Sequence, residues 1–335
     1  MAIFRCNKCG SLVEQPDSQV GQTIPCPKCE QPAAIYPTVF FIEKLLEKYF
    51  VAQRELTLLR TQLSSTPGTA TPASGNANQL SPALAEVDLS NTDLLATELQ
   101  HGPIYDWFSK KQIKAQANLR GVDTSGFFDE VAEAIGGNLP LFREVIERIR
   151  WSQQKEHNST TIHLEKRSAE DAKALVTFCQ QLYDYSFVAK CFHNKPENNL
   201  RLILQTAPGI RTFFNGEWLE WHALMSCLHY AKARQRRFSC ARGLALTLGN
   251  GESCELDVFM LIDGGTPICI ECKSGEFRQN IDRYLALKKR LGMDGKQFIM
   301  CIAGLEEDKA KAYTAMYDLS FVSEQGLAGH LARLF

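Results

Sequence analysis

Glu255-Leu-Asp257-Val-Phe-Met-Leu-Ile262 and Ile268-Cys-Ile-Glu271-Cys-Lys273 decide how the rest of the chain is read. Two runs rich in β-formers flank Asp263-Gly264-Gly265-Thr266-Pro267, the composition of a hairpin tip. Asp257, Glu271 and Lys273 are charges inside otherwise apolar strands, and a buried charge is costly unless it is paired or holds a metal. Side chains alternate along a strand, so Glu271 and Lys273 share a face, and Leu256, Val258, Met260 and Ile262 share the face opposite Asp257. Asp257 reaches the Glu271 face only if paired residue numbers have an even sum, which requires an odd loop, of three or five residues, or a bulge. In that register the carboxylates lie directly or diagonally opposite, with Cβ atoms about 5–8 Å apart. Two such oxygen ligands suit a hard cation such as Mg²⁺ or Mn²⁺. An ammonium beside them can orient or help deprotonate an attacking water, or steady developing negative charge. Metal-assisted hydrolysis of a phosphodiester is the chemistry this trio suits. The competing reading is an ordinary surface cross-strand pair with a solvated Asp257; strands that read as buried on both faces argue against it.

These residues, in this order, resemble the PD-(D/E)xK nuclease superfamily, the restriction-endonuclease-like fold. Asp257 matches the first acid and Glu271-Cys272-Lys273 the (D/E)xK half, while Leu256 stands where the motif has proline. Asn215-Gly216-Glu217-Trp218-Leu219-Glu220 is similar to the helix that leads into such a core carrying a further acid. The pattern looks closest to the nuclease domains of CRISPR-associated enzymes activated by cyclic oligoadenylates, and is also similar to archaeal Holliday-junction resolvases. The resemblance covers residues 210–335 and implies an α/β core in the order α-β-β-β-α-β, a mixed sheet flanked by helices. It places a helix near 216–232, strands near 243–248, 255–262 and 268–273, a helix near 279–291 and a strand near 297–302. It also implies that Asp257, Glu271 and the backbone carbonyl of Cys272 bind Mg²⁺ or Mn²⁺, that Glu220 holds a water of that ion's shell, and that Lys273 positions the nucleophile. The implied substrate is DNA or RNA. A cysteine nucleophile is not supported, because Cys272 has the opposite strand parity to the acids and no ordered base is in view.

Cys6-Asn-Lys-Cys9 and Cys26-Pro-Lys-Cys29 are two CxxC knuckles 16 residues apart. Four thiolates at that spacing make a closed, tetrahedral, structural Zn²⁺ site, and residues 1–37 read as a zinc ribbon. A redox CxxC pair is the alternative, but the βαβ context it needs is missing nearby. Such ribbons bind nucleic acid or protein partners, and the sequence does not choose.

Residues 38–63 read as a helix. Ile42, Tyr49, Leu56 and Leu63 recur every seven residues, with Leu45, Ala52 and Leu59 between them, a heptad pattern compatible with a homodimeric coiled coil or with one amphipathic helix packed on its own ribbon. The nuclease region is the other candidate dimer surface. Residues 64–89, rich in Ser, Thr, Pro, Ala, Gly and Asn, read as a linker. The middle region, 90–209, reads as helical to about Gln154 and then as a small β-α-β-β unit. Lys232, Arg234, Arg236 and Arg237 follow the Glu220 helix and read either as a phosphate-binding cluster or as a solvated helix end. Arg283, Lys288, Lys289 and Arg290 form a second candidate strip. His157, His163, His193, His222 and His229 read as surface or packing residues.

Across 335 residues, 44% are hydrophobic and 22% charged, the balance of a soluble protein of two or three domains. The net charge of −1 supplies no overall basic field, so any attraction for nucleic acid must come from local patches. No apolar run is long enough to span a bilayer and the N-terminus lacks a signal-peptide layout, so a cytoplasmic protein without membrane partners is expected. Eight cysteines outside the knuckles lie among apolar neighbours, which fits reduced, core-filling thiols. A non-catalytic adaptor that binds nucleic acid or protein through its ribbon and basic patches is the alternative to a nuclease.

Overall fold

The computed structural model describes residues 1–6, 9, 11–39, 42, 46, 95–122 and 127–334. The chain divides into two units, Met1–Ala77 and Asn78–Phe335. Of the helix expected at 38–63, only Thr38, Val39, Ile42 and Leu46 are described, and all four are helical. The rest of its heptads and the 64–89 linker lie outside the described residues.

In the first unit, β1 (Ala2–Arg5), β2 (Leu12–Gln15), β3 (Thr23–Pro25) and β4 (Pro32–Pro37) form an antiparallel sheet in the order β2-β1-β4-β3. Alternation sends Ala2 and Phe4 inward, where they meet Ile35, Cys6 and Cys26. The buried residues described there, five in number, are little apolar surface for so small a unit, the situation in which a shared metal ligand commonly adds stability.

The second unit begins with α1 (Glu98–Ser109) and β5 (Lys114–Gln116), followed by α2 (Phe128–Gly137) and α3 (Leu139–Gln154). A β-α-β-β run follows: β6 (Ser159–His163), α4 (Ala169–Asp184), β7 (Val188–Asn194) and β8 (Asn199–Leu204), with sheet order β6-β8-β7. The Ser168 hydroxyl caps α4 by accepting from the Asp171 N–H at 3.0 Å. After the single turn α5 (Pro208–Thr212) come α6 (Trp218–Ala233), β9 (Phe238–Thr247), β10 (Ser253–Ile262), β11 (Thr266–Lys273), α7 (Ile281–Leu291), β12 (Phe298–Ile302), α8 (Glu307–Met316), β13 (Ser320–Val322) and α9 (Leu327–Leu334). The architecture is mixed α/β.

The large sheet runs β13-β12-β11-β10-β9-β5, antiparallel from β5 to β11 and parallel from β11 to β13. Both faces are covered, which is why β10 and β11 read as continuous apolar runs. One layer packs α6 and α2 against Val258, Met260, Ile262, Ile268 and Ile270. The other packs α1 and α7 against Leu244, Leu246, Leu256, Phe259, Leu261 and Cys269. Helix α6 is apolar nearly all round because it touches β10 and β11 on one side and α2 and α9 on the other. Segment 98–116, which the sequence assigns to the middle region, supplies α1 and β5 to this sheet.

The sheet departs from expectation at two places. The strand expected at 243–248 begins five residues earlier, at Phe238; Ser239, Arg242 and Gly243 hide it, since they break the apolar alternation. Leu256 does not share a layer with Val258 and Met260 but packs in the opposite one. The parity of both strands changes at Gly243, whose φ is +64°, and at the facing Asp257, where the otherwise regular β9–β10 pairing skips a rung. Asp257 therefore sits on the seam between the two layers.

Only glycine takes that φ without cost, and a Cβ at position 243 would lie 3.4 Å from Glu255 Oε1. Gly243→Ala should destabilise the protein by about 1–2 kcal/mol in urea unfolding; an unchanged midpoint would show that the seam tolerates ordinary backbone.

Candidate functional site

The β10–β11 hairpin pairs Ile262 with Thr266 and Val258 with Ile270, so paired numbers sum to 528, and its loop is the three residues 263–265. Asp263 and Gly264 take φ of +49° and +74° to close it. Continued one step, this register sets Asp257 opposite Glu271, the even-sum arrangement that brings the acids to one face.

Asp257 Oδ2 accepts from the Cys272 N–H at 2.7 Å and from Lys273 Nζ at 3.2 Å. The same ammonium lies 3.7 Å from Glu271 Oε2 and 5.8 Å above the Tyr284 ring. Burial disfavours the charge on Lys273, but Asp257 and Glu271 outweigh it and hold its pKa above the ordinary lysine value. Glu271 is 3% exposed, and among the described residues its Oε1 has no hydrogen-bond partner. Desolvation, with the Asp257 charge added, pushes its carboxyl up to about 8. A buried oxygen without a partner is expensive, and either the carboxyl's own proton or a bound cation would lower that cost.

Glu220 stands in the first turn of α6, where the helix dipole favours an acid. The α-helix starts at Trp218, not at Gly216. Phe213–Glu217 form a π turn in which Gly216, at φ +138°, approaches Ser274 so closely that a Cβ would lie 2.9 Å from its Oγ. Desolvation and the nearby Asp257 raise Glu220 to about 8 even though Arg242 opposes the shift. Arg242, 7% exposed, stacks 4.2 Å from the Trp221 ring and donates to Gly121 O at 2.6 Å, Glu217 Oε1 at 2.7 Å and Glu220 Oε2 at 3.1 Å. Glu220 thus senses Asp257 but is turned toward Arg242. Among the described residues the three acids do not gather as a three-ligand cluster.

Arg242 and Glu217 were not singled out from the sequence. The signal was present: a cation in the strand run Cys240-Ala241-Arg242-Gly243 is the same anomaly that marks Asp257.

The basic cluster lies elsewhere. Arg236 pairs with Asp263 at 2.6 Å, and the Arg237 N–H donates to the same carboxylate. That places the cluster at the hairpin tip, six residues beyond Asp257 and roughly 20 Å along the strand, with Lys232 and Arg234 at the end of α6. In the second strip, Lys288 is buried and held by the Asp318 carboxylate and carbonyl. His222 Nε2 meets the Glu324 carbonyl at 3.0 Å and His229 Nε2 meets Glu133 at 2.6 Å. Neither contact involves the acids.

In the first unit the Sγ atoms of Cys6, Cys9, Cys26 and Cys29 all lie within 4.8 Å of one another. Cys6 and Cys29 approach to 3.4 Å, Cys9 and Cys26 to 3.5 Å. A tetrahedral ion with Zn–S bonds of about 2.3 Å needs sulfurs about 3.8 Å apart, so the set fits and could hold a zinc ion. Each knuckle is closed by its own backbone, Cys6 N–H to Ser11 O at 2.9 Å and Cys26 N–H to Gln31 O at 3.0 Å. All twelve cysteines are free of disulfides, and among the described residues no helix is long and apolar enough to cross a membrane.

No protein-family model matches the chain, and no curated protein matches it. Among solved structures it is similar to Can2 from Sulfobacillus thermosulfidooxidans, determined in complex with cyclic tetra-adenylate, at 15% identity and TM-score 0.47, over 69% of this chain and 59% of Can2. It is also similar to protein VC1899 from Vibrio cholerae, at 14% identity and TM-score 0.47, over 69% of this chain and 60% of that one. The chain thus spans about three-fifths of the length of these two structures.

Two outcomes are expected. Folding raises the carboxyls of Glu271 and Glu220, so between about pH 4.5 and about 8 the folded state binds more protons than the unfolded one. Without added Mg²⁺ or Mn²⁺, melting temperature should fall as pH rises through that window, and Glu271→Gln should flatten the slope. Equal slopes would mean that Glu271 is not desolvated. Separately, Cys26→Ser should lower bound zinc, measured by elemental analysis, from one atom per chain to none.

Proposed function

We propose that this protein is a metal-dependent nuclease that hydrolyses phosphodiester bonds of DNA or RNA, on a restriction-endonuclease-like core spanning residues 210–335. The observation that carries the reading is the convergence of Asp257, Glu271 and Lys273, with a buried Glu271 oxygen that has no donor among the described residues. The order α6, three antiparallel strands, α7 and β12 supports it.

Asp257, Glu271 and the backbone carbonyl of Cys272 would hold Mg²⁺ or Mn²⁺. When bound, such an ion supplies a Lewis acid that activates water and neutralises charge on the scissile phosphate. The chain's own groups do the rest. Lys273 is kept charged by the two carboxylates, so it serves as a fixed donor that orients the nucleophile and steadies developing negative charge rather than as a base. Glu220, with its proton held to about 8, can take or release one near neutral pH and order water at the seam. Arg242 anchors Glu217 and Glu220 and thereby sets the distance of α6 from Asp257. The Cys272 N–H fixes the Asp257 rotamer. In the first unit, zinc held by Cys6, Cys9, Cys26 and Cys29 would have no open position and would serve folding alone.

Cleavage of single- and double-stranded DNA and RNA should require Mg²⁺ or Mn²⁺ and stop on chelation, and the panel should be run with and without cyclic oligonucleotides as activators. Asp257→Ala and Lys273→Ala should each reduce the rate by about 100-fold or more. Full biological activity in both variants, combined with its loss in the cysteine variants, would favour an adaptor that binds through its ribbon.

A further inference from the structure

Two cavities meet on α3, on the α6 side of the large sheet. The first is lined by Arg143, Glu147 and Arg150 of α3, by Trp218 at the start of α6, and by Ser274 and Ala303. Ser274 directly follows Lys273, and Ala303 follows Ile302, the β12 partner of Lys273. By strand alternation Ser274 and Ala303 face the α6 layer, whereas Lys273, like its β12 partner Ile302, faces the α7 layer, so the cavity lies at the strand ends that carry the proposed catalytic lysine but on the other face of the sheet. The second, of about 260 Å³, is lined by Arg150, Gln153, Gln154, Arg211, Thr212 and Asn215. Arg150 is the side chain the two share.

The charges explain what such a cleft would take. The guanidiniums of Arg143, Arg150 and Arg211 have no ion-pair or hydrogen-bond partner among the described residues, although Arg150 is half-buried. Arg148, on the same helix, is tied to Glu144 at 2.9 Å. Glu147 is the one carboxylate in the lining, so three guanidiniums face one acid. A partly buried cation that the protein leaves unpaired is stabilised by an anion brought from outside. Arg143 and Arg150 lie two helical turns apart, about 10 Å along α3, so they can reach different phosphates of one strand. Gln154 and Asn215 add neutral amides that can bond sugar or base edges without a charge preference, while Gln153 is buried and donates to the Gln205 carbonyl. The first cavity also depends on Gly304, at φ +67°, because a Cβ there would fall 1.9 Å from Arg143 Nη2.

We infer that the Arg143–Arg150–Arg211 cleft binds the phosphodiester backbone of a single-stranded nucleic acid on the α6 face, from which the strand passes over the ends of β11 and β12 to the Asp257–Glu271–Lys273 site. The inference rests on the nuclease reading for its direction, though the cleft's affinity can be measured without it. It assigns substrate binding to α3 and the α5–α6 turn, and removes that task from the basic cluster at the hairpin tip.

The test is fluorescence anisotropy with a fluorescein-labelled 12-nucleotide DNA and an RNA of the same sequence, in Ca²⁺, using the full chain. Arg150→Gln should weaken binding of the preferred probe about tenfold and reduce the salt slope by about one. Arg150→Lys should restore most of the affinity, and Arg148→Gln should leave it unchanged. Should Arg150→Gln fail to fold, the exposed Arg211→Gln and Arg143→Gln carry the test with the same sign. Affinity within twofold of wild type in these variants, or an equal loss in Arg148→Gln, would overturn the cleft. Arg150-dependent binding without cleavage would contradict the nuclease reading and keep the cleft; cleavage with binding indifferent to Arg150 would do the reverse.

Discussion

One carboxylate oxygen ties this structure together. Asp257 Oδ2 receives both the Cys272 N–H and the Lys273 ammonium, joining β10 to β11 at the last rung before the hairpin opens. The contact exists only because a three-residue loop gives the even register. A two-residue loop would move every side chain of one strand to the other face and send Asp257 into an apolar layer. The register that buries Val258 and Ile270 together is thus the register that assembles the charges.

The second constraint is the seam. Gly243 and Asp257 mark the point where two strands change parity, so Asp257 belongs to neither apolar layer. From there it meets Glu271 and Lys273 on β11 and acts on Glu220 across the base of α6. Three carboxyls crowded at low dielectric cannot all ionise without help. Lys273 and Arg242 supply part of that help. The remaining deficit, concentrated on a buried oxygen of Glu271, is the physical basis for expecting a divalent ion.

How much of this could be read from the chain follows from where each signal lies. The hairpin was legible because β-formers and turn residues are local, and because charges inside apolar runs demand explanation. The four-cysteine cluster was legible from spacing, since each knuckle is closed by hydrogen bonds within a few residues. The start of β9 was not, because Ser239, Arg242 and Gly243 obscure strand periodicity, and their reason for being there is a contact with Gly121, Glu217 and Glu220 far away in sequence. Nor could the chain show that the Arg236 guanidinium and the Arg237 backbone N–H both meet Asp263, or that β5 reaches the large sheet from the region before α2. Those facts are tertiary, and only packing reveals them. The cleft on α3 belongs to the same class: Arg143 and Arg150 look like ordinary helix-surface charges until the α5–α6 turn and the strand ends are set beside them.

The nuclease chemistry proposed for this site requires that Asp257 and Glu271 share an ion. Crystals soaked in Mn²⁺ and measured at its absorption edge give the answer directly. A shared ion gives an anomalous peak in contact with both carboxylates and the Cys272 carbonyl, at bond lengths on the order of 2 Å. Crystals in which manganese binds elsewhere, while Glu271 stays buried and empty-handed beside Lys273, would contradict it.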